Sequence, residues 1–332
     1  MATTDQQHGD AAAAAGREAM AHYDACGLCP RQCGVNRNAG ERGVCGETSD
    51  CRVAAITAHF GEEPPISGRN GSGTIFFSGC SSGCFFCQNY QISQEHLGRT
   101  LSHDELYNEV QALIARGVHN LNFVTPEHWW PHISVLCRRL RAKGVFLPFV
   151  WNSSGYFLTE WLDQQCALID IFLPDYKFAD AALAHACMGD SRYPDLALAG
   201  ICRLAERVGF LRPWDDSGDI CASRGLMVRH LVLPGQVENS LRVLDNLARE
   251  IGPQLPISLM SQFRPVPECG RRGFLDRMVA IDEYRQVCQH LDDLGFTKVF
   301  IQPEFGDDNF LPDFSADRPF KGNPPPTGPA AP

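Results

Sequence analysis

The sequence predicts an α/β protein, a partial (β/α)6 barrel of the TIM type with an N-terminal cysteine-rich metal-binding extension. Three observations predict it. From Thr74 onward, short runs of β-branched and aromatic residues alternate with segments of helical periodicity, a pattern typical of a parallel sheet. About six such units are present, which fits a partial barrel better than a complete barrel of eight. Before them lies a segment rich in cysteine, glycine and arginine without periodicity.

The order of elements follows from these runs. Strands are expected at 74–77, 120–124, 146–151, 169–173, 226–233, 257–261 and 297–301. Helices are expected at 102–116, 130–143, 159–166, 194–208, 239–250 and 282–294. The first helix has the clearest start, because Ser102 and Glu105 have the spacing of a capping box.

Changes in composition divide the chain into four parts. We expect a disordered tail at 1–20, a cysteine-rich metal-binding segment at 21–70, the barrel at 71–311 and a disordered proline-rich tail at 312–332.

The composition excludes several classes of protein. The 332 residues are 44% hydrophobic and 20% charged, as in ordinary globular proteins. A net charge of −10 argues against nucleic-acid binding, and the basic run 138–143 is interpreted as a solvated helix end. No apolar stretch approaches the ~20 residues of a membrane span. Fifteen cysteines without a signal-peptide pattern indicate thiols that bind metal in a reducing cytoplasm.

Three cysteines carry the most chemical information. Cys80, Cys84 and Cys87 have the spacing C-x3-C-x2-C with no fourth cysteine nearby, and they follow the predicted strand 74–77. A closed iron–sulfur cluster or a structural zinc site takes four protein ligands, so three cysteines on a cluster leave one iron open. The alternative is a zinc site completed by a distant ligand, such as Cys51 or His59.

This spacing, with Phe86 directly before the last cysteine, resembles the signature of the radical S-adenosylmethionine (SAM) enzymes. An uncharacterised subgroup similar to the pyruvate formate-lyase activating enzymes matches best, because its motifs run in order from Cys26 to about Phe263: GLCPRQCGVNR, SGTIFFSGC, FCQNYQIS, LPDYK, VRHLVLPG and LMSQF.

The resemblance implies a [4Fe–4S] cluster on Cys80, Cys84 and Cys87 whose open iron binds SAM, with Phe86 among the cofactor-binding residues. Reductive cleavage of SAM then gives a 5′-deoxyadenosyl radical that abstracts a hydrogen atom. An electron donor such as a flavodoxin or ferredoxin is implied as a partner. For an activating enzyme, a glycyl-radical enzyme is a further partner.

Polar residues follow the next two predicted strands. Thr125 and Glu127 stand where the family has Gly-Gly-Glu, whose carboxylate receives the amino group of the cofactor; the glycines are absent here. The alternative is a helix start, with Thr125 as its cap. Asn152 and Ser153 are candidates for binding the ribose or the methionine carboxylate, and turn chemistry is the alternative.

The later strands add further candidates. Asp175 and Lys177 resemble the Asp-x-Lys segment of activating enzymes, which lines the cofactor or substrate end of the cavity. Lys177 is also a candidate catalytic residue, and a surface ion pair is the alternative. His230 lies within a predicted strand, where it either faces the cofactor or is a hydrogen-bonded core histidine. Gln262, at the end of the sixth strand, is a weaker candidate.

A second cysteine set lies upstream. Cys26, Cys29, Cys33 and Cys45 have the spacing C-x2-C-x3-C-x11-C, which suits either a tetrahedral zinc site or an auxiliary iron–sulfur cluster. Cys51 is a spare candidate ligand for this site.

The leading hypothesis is therefore a radical SAM enzyme, with a glycyl-radical activase as its sharper version. Radical modification of a small molecule, a peptide or RNA is the second hypothesis. A non-catalytic iron–sulfur or zinc protein is the third.

Overall fold

A computed structural model describes residues 16–303 and 311–320. The strands are β1 Arg52–His59, β2 Ser72–Phe77, β3 Arg99–Thr100, β4 Leu121–Val124, β5 Phe149–Ser153, β6 Ile171–Pro174, β7 Gly225–Leu226, β8 Val228–Leu231, β9 Ile257–Met260 and β10 Val299–Ile301. The main helices are α1 His103–Ile114, α2 Trp130–Ala142, α3 Thr159–Cys166, α4 Ala181–Met188, α5 Tyr193–Val208, α6 Val237–Glu250, α7 Pro267–Arg272 and α8 Ile281–Asp293. Single helical turns lie at Pro64–Ser67 and Tyr90–Ser93, and 3-10 turns at Arg37–Ala39 and Glu127–Trp129.

The strands form two sheets that together make the predicted partial barrel. One sheet has the order β3-β1-β2-β4-β5-β6-β7, and the other has the order β10-β9-β8. Strands β2 and β4 to β7 pair in parallel, as do β8 to β10. A parallel bridge between Asp175 and Arg229 continues the hydrogen bonding from one sheet to the other. The carboxyl ends of the parallel strands therefore meet at one end of the barrel.

The burial of strand β2 and the start of helix α1 both follow from the residue pattern. All six residues of β2 are buried, and successive side chains point to opposite faces. Ile75 and Phe77 belong to the main core beneath the helices, whereas Phe76 belongs to a second cluster. Helix α1 begins at the predicted cap: Ser102 and Glu105 exchange the two hydrogen bonds of a capping box.

The cysteine-rich segment extends into the sheet, which the sequence did not predict. Strand β1 lies within the range 21–70 and pairs antiparallel with β2, with Thr57 opposite Thr74. Its sequence RVAAITAH has no strict alternation of apolar and polar residues, and its burial pattern is equally mixed. Pairing with β2 therefore determines this strand more than its own periodicity does.

The predicted tail at 1–20 is ordered at its end. Residues 1–15 lie outside the described part of the chain, but 16–21 are helical and Ala19 is buried.

Part of the predicted disordered tail at 312–332 is ordered. Residues 321–332 lie outside the described part, whereas 311–320 pack on the barrel. Phe314 and Phe320 are buried against Phe76 of β2, with ring centroids 5.4 and 5.1 Å from it. The Phe314 amide also donates to Gln91 Oε1 at 2.8 Å. The expected boundary was wrong because two phenylalanines precede the proline-rich end.

Within the described residues, the helices are all too short or too polar to cross a membrane.

Gly155, just after β5, lies against Asp175, just after β6. It therefore gives a test of the packing between the two strand ends. It has φ +74°, and a Cβ atom there would lie 1.9 Å from the Asp175 carbonyl oxygen. Because backbone cannot move aside cheaply, Gly155→Ala should lower the free energy of unfolding by about 2–4 kcal/mol in urea denaturation. Gly189→Ala is the matched control, with the same φ but nothing within 4 Å of a new Cβ, and it should cost only about 1 kcal/mol. Equal costs for the two variants would contradict the packing argument.

Candidate active site

A cavity of about 510 Å³ opens at the carboxyl ends of the strands. All three cysteines of the C-x3-C-x2-C motif line it. The structure also brings several of the predicted polar residues to its wall, although they come from separate strands: Thr125, Asn152, Ser153, Asp175 and Lys177. Phe86 and Gln262 lie on the same wall. Glu127 and His230 do not line the cavity.

The cysteine loop is buried and strongly constrained. Cys80 and Cys84 are less than a tenth exposed, and Cys87 is partly buried. A Cβ atom at Gly79, where φ is +76°, would lie 2.7 Å from the Cys45 carbonyl oxygen, so the chain passes close to the upstream segment. Gln94 Nε2 donates to the Cys84 carbonyl oxygen at 2.8 Å. The loop is therefore held by its own backbone contacts.

The three thiols face one another in a setting that disfavours free thiolates. Burial, together with the Cys87 thiolate, raises the pKa of Cys80 to about 12. Burial also raises the pKa of Cys84, which Lys177 lowers and the other two thiolates raise. Thiolates are nevertheless the form that binds metal. A bound cation would supply the missing positive charge, so this donor set fits an iron–sulfur cluster.

Within the described residues, no three His, Cys, Asp or Glu side chains are gathered around a point that would hold a single metal ion. A cluster distributes its cysteines over separate irons.

Phe86 packs within an aromatic group beside the loop. Its ring centroid lies 5.6 Å from that of Phe85, 5.8 Å from Phe263 and 6.2 Å from Phe178. The position just before the last cysteine thus contributes an apolar wall to the cavity.

Asp175 and Lys177 form an ion pair inside the cavity. Their side chains are 19% and 17% exposed, so the pair is not the surface contact considered as the alternative. Burial lowers the pKa of Lys177, but the Asp175 carboxylate and the Cys84 thiolate more than offset this and the pKa is raised. Lys177 is therefore a cation that faces both the cysteine loop and the cavity.

Glu127 lies behind the cavity wall. Its Oε1 accepts a hydrogen bond from the Ser153 hydroxyl, and Oε2 is buried without a partner among the described residues. Burial raises the pKa of Glu127 to about 7. Any contact that Glu127 makes with a ligand must therefore involve a shift of Ser153 or pass through its hydroxyl.

Thr125 reaches the wall by an unusual backbone conformation. Its φ is +50°, and its amide donates to the Asn152 carbonyl oxygen at 2.9 Å. A positive φ is rare outside glycine and costs about 1–3 kcal/mol. The 3-10 turn Glu127–Trp129 is preceded by Pro126, so Thr125 is not the helix cap considered as the alternative. The chain thus adopts here a glycine-like conformation without a glycine.

His230 is a core histidine. It is fully buried; Nδ1 lies 2.7 Å from the Tyr176 carbonyl oxygen and Nε2 lies 2.9 Å from the Ser240 hydroxyl. Burial lowers the pKa of His230 to about 4, so the ring is neutral at pH 7. With both nitrogens bonded to protein, it corresponds to the hydrogen-bonded alternative that the sequence left open.

The residue before His230 faces the cavity instead, and the sequence analysis missed it. Arg229 is nine-tenths buried and donates from Nε to Glu63 Oε1 at 2.9 Å and from Nη2 to Glu62 Oε2 at 2.5 Å. Nη1 donates to Asn152 Oδ1 at 3.1 Å. Glu62 Oε1 also accepts from Asn122 Nδ2 at 2.8 Å. This Arg229 network forms a polar wall of the cavity, and Asn152 reaches the cavity as part of it.

The pattern GEEPP was the available signal for this network, because two adjacent glutamates need a cation once the fold buries them, as it does here. Their partner stands 166 positions later, however, and spacing alone does not identify it.

The upstream cysteines lie together at a second place. Burial raises the pKa of Cys29 to about 12, with smaller contributions in the same direction from the thiolates of Cys45, Cys26 and Cys33. Arg37 is buried among them, with Nη1 4.0 Å from Cys26 Sγ. Like the first set, these thiols are not gathered around a point that would hold a single metal ion in the described part of the chain. Three thiols within electrostatic reach of Cys29 nevertheless supply, with it, the donors that a metal centre needs.

Comparisons with known proteins agree with the cysteine loop. Residues 74–174 match the family model described as the Radical SAM superfamily. An uncharacterized protein of Methanocaldococcus jannaschii, MJ0674, is 25% identical over 271 residues, which cover 80% of this chain and 73% of that protein.

Two solved structures are similar at low identity. A radical SAM methyltransferase from Sphaerobacter thermophilus has a TM-score of 0.48 and 16% identity over 69% of this chain; the match spans 65% of that protein, less than two thirds of its length. A domain of a pyruvate-formate lyase-activating enzyme from Bacteroides vulgatus has a TM-score of 0.36 and 18% identity, over 52% of this chain and 92% of the domain.

The Arg229 network gives a test of the site's electrostatics. Arg229→Met should lower the free energy of unfolding at pH 7 by about 3–5 kcal/mol, because it leaves Glu62 and Glu63 buried without their cation. Burial raises the pKa of Glu63 and Arg229 lowers it. Without Arg229 the folded pKa of Glu63 rises above its unfolded value, so the folded variant takes up a proton at a higher pH than the unfolded chain does. Its deficit relative to wild type should therefore shrink between pH 7 and pH 5.5 in urea denaturation. Arg242→Met, which removes a half-exposed partner of Asp180, should cost less than about 1 kcal/mol. A deficit that is independent of pH would contradict the assignment.

Proposed function

We propose that this member of the radical SAM superfamily binds SAM in the cavity beside Cys80, Cys84 and Cys87 and starts its reaction by reductive cleavage of SAM. The observation that carries the proposal is the convergence of the three buried thiols with polar strand ends on one cavity. Superfamily membership implies a [4Fe–4S] cluster and SAM as cofactors. When bound, they supply a 5′-deoxyadenosyl radical that abstracts a hydrogen atom.

The residues of the chain have distinct roles in this proposal. The three thiolates hold the cluster and leave one iron free. Lys177 faces the same cavity as a cation and is suited to bind a carboxylate of the ligand, while Asp175 fixes its position. The buried Glu127 and Ser153 offer acceptors for an ammonium group, and Ser153 lies between Glu127 and the cavity. Phe86 supplies an apolar surface that excludes water from the cysteine loop.

The sharper version, activation of a glycyl-radical enzyme, is supported by the motif resemblance. The experiment that tests it is anaerobic co-purification followed by electron paramagnetic resonance of any partner, in which a glycyl radical should form only with SAM and reductant present.

Cys84→Ala tests the cluster assignment. The variant should lose about four irons per chain and all release of 5′-deoxyadenosine in anaerobic assays with dithionite, because one ligand of the cluster is gone. The measurements are iron analysis and chromatography of the products. Cys166→Ala, at the end of helix α3, should keep both, because the charges that act on this thiol are those of Arg207 and Asp163 and not those of either cysteine set. A Cys84 variant with full iron content would show that the ligand assignment is wrong.

We also propose that Cys26, Cys29, Cys33 and Cys45 hold a second metal, either zinc or an auxiliary iron–sulfur cluster. The support is the electrostatic interaction of Cys29 with Cys26 and Cys45, which are buried like it, and with the partly buried Cys33. The segment is tied to the first loop, since Arg31 stands between Cys29 and Cys33 and donates to the Ser81 and Ser82 carbonyl oxygens.

Cys29→Ala tests the second site. Metal analysis should show loss of zinc, or of iron beyond the first cluster, and limited proteolysis should show faster cleavage of the N-terminal segment. Metal binding here contributes to folding, so stability should fall before the chemistry does. Unchanged metal content and unchanged proteolysis would contradict the proposal. A stable variant that loses SAM cleavage would indicate electron relay instead of a structural role.

A further inference from the structure

The Arg229 network carries one more negative charge than positive charge. Glu62 and Glu63 place two carboxylates on one guanidinium, and the side chains of all three residues are less than a tenth exposed. Both carboxylates line the cavity beside Arg229. A buried surplus charge is costly unless another charge compensates it. The network therefore favours the binding of a cation from the cavity.

Two other cations line the cavity, and both stand nearer its cysteine end. Lys177 follows β6 and is paired with Asp175. Arg264 follows β9, is partly exposed, and donates from Nη1 to the Phe263 carbonyl oxygen at 3.2 Å. The surplus negative charge therefore lies at the opposite end of the cavity, at the two glutamates.

An unsatisfied acceptor lies at the same place. Asn122 is fully buried and donates from Nδ2 to Glu62 Oε1 at 2.8 Å. This bond fixes the orientation of the amide, because the reverse orientation would set its oxygen against the carboxylate. Asn122 Oδ1 is then buried without a partner among the described residues. Carboxylates beside an amide oxygen favour a ligand that is both positively charged and rich in N–H donors, as an ammonium group is.

These acceptors lie deep in the barrel. Asn122 pairs with Thr74, three residues before the end of β2 at Phe77. At ~3.3 Å per residue, this level is roughly 10 Å from the strand end. Cys80 follows beyond that end, so the acceptors are well separated from the cysteine loop.

An apolar band lies between the network and the cysteine loop. Side chains two positions apart on a strand point to the same face. Val124 stands two positions after Asn122 on β4, and Leu231 stands two positions after Arg229 on β8. Phe76 of β2 pairs with Val124. Because Phe76, Val124 and Leu231 all line the cavity, a ligand that reaches the network from the cysteine loop passes along apolar side chains.

We propose that the substrate of this enzyme is a primary alkylammonium compound, whose ammonium group binds Glu62, Glu63 and Asn122 at the deep end of the cavity. Its carbon chain lies along the apolar band and extends toward the cysteine loop. This inference rests on the proposed function, because a second ligand is needed in the cavity only if SAM reacts there with a substrate.

The test measures binding of n-butylammonium chloride to the anaerobically reconstituted enzyme by isothermal titration calorimetry. Sodium butyrate and n-butanol are the matched controls, because they have the same number of carbon atoms but a negative or a neutral end. Wild type should bind n-butylammonium at least about tenfold more tightly than either control, the factor that a charge-assisted hydrogen bond supplies. No binding of n-butylammonium, or equally tight binding of butyrate, n-butanol, K⁺ or Mg²⁺, would overturn the inference.

Glu62→Gln removes the surplus charge and keeps the shape of the side chain. The dissociation constant for n-butylammonium should rise at least about tenfold. The variant should fold, since Arg229 keeps both of its hydrogen bonds to Glu63; if it does not, the wild-type comparison above still decides. The control is Glu268→Gln on α7, which removes a carboxylate that is paired with two arginines outside the cavity and should leave binding unchanged. A folded Glu62 variant that binds n-butylammonium as tightly as wild type does would contradict the assignment.

Titration in the presence of SAM separates a substrate site from a cofactor site. n-Butylammonium should bind wild type with the same dissociation constant when SAM is saturating. Displacement by SAM would show that the site holds the ammonium group of the cofactor, and the substrate inference then fails. Release of 5′-deoxyadenosine with dithionite tests the proposed function separately. If wild type with a loaded cluster releases none, the proposed function fails; if it releases 5′-deoxyadenosine but does not bind n-butylammonium, only the substrate inference fails.

Discussion

The Arg229 guanidinium is the group on which the interior of this barrel depends. It extends from β8 in the second sheet, yet its partners come from the loop before β2 and from β5 in the first sheet. Each contact crosses from one sheet to the other. Because the group is nine-tenths buried, its charge requires the two carboxylates as much as they require it. The polar wall of the cavity therefore also connects the two sheets.

Low exposure also allows the cavity wall to hold two groups of opposite charges close to each other, the Asp175–Lys177 pair and the Arg229 network. Asp175 and Lys177 follow β6, and the bridge between Asp175 and Arg229 places this ion pair beside the Arg229 network. Lys177 is directed at the thiols, while the carboxylates Glu62 and Glu63 are engaged by Arg229. Such fixed charges in a poorly hydrated space bind and orient a charged ligand more strongly than they would in water. A zwitterionic ligand with both a carboxylate and an ammonium group matches this arrangement.

The loop from Cys80 to Cys84 separates an inner and an outer environment. Its inner face meets the cavity with the Cys80 and Cys84 thiols, whereas Gly83 is exposed to solvent on its outer face. The upstream segment links the two, since Arg31 lies between Cys29 and Cys33 and bonds the loop's carbonyl oxygens. The two cysteine sets thus lie close together because the Arg31 side chain bonds the loop and because Gly79 passes near the Cys45 carbonyl oxygen, which a Cβ atom at Gly79 would approach to 2.7 Å.

Local patterns were sufficient for most of the fold and for the cysteine loop. Residue spacing determined the three cysteines, the capping box at Ser102 and the parallel strands, because each depends on neighbours within one element. Burial among distant segments determined the rest. The sequence could not show that Arg229 and not His230 faces the cavity, because the strand's alternation acquires a direction only when the second sheet packs. It could not show that Glu127 lies behind Ser153, or that Phe314 and Phe320 pack on Phe76. The sequence by itself indicated most of the candidate groups, because their spacing within one segment can be read from the chain. The tertiary structure decided which of them line the cavity, because burial and charge pairing join distant residues, such as Arg229 and Glu63, which are 166 positions apart.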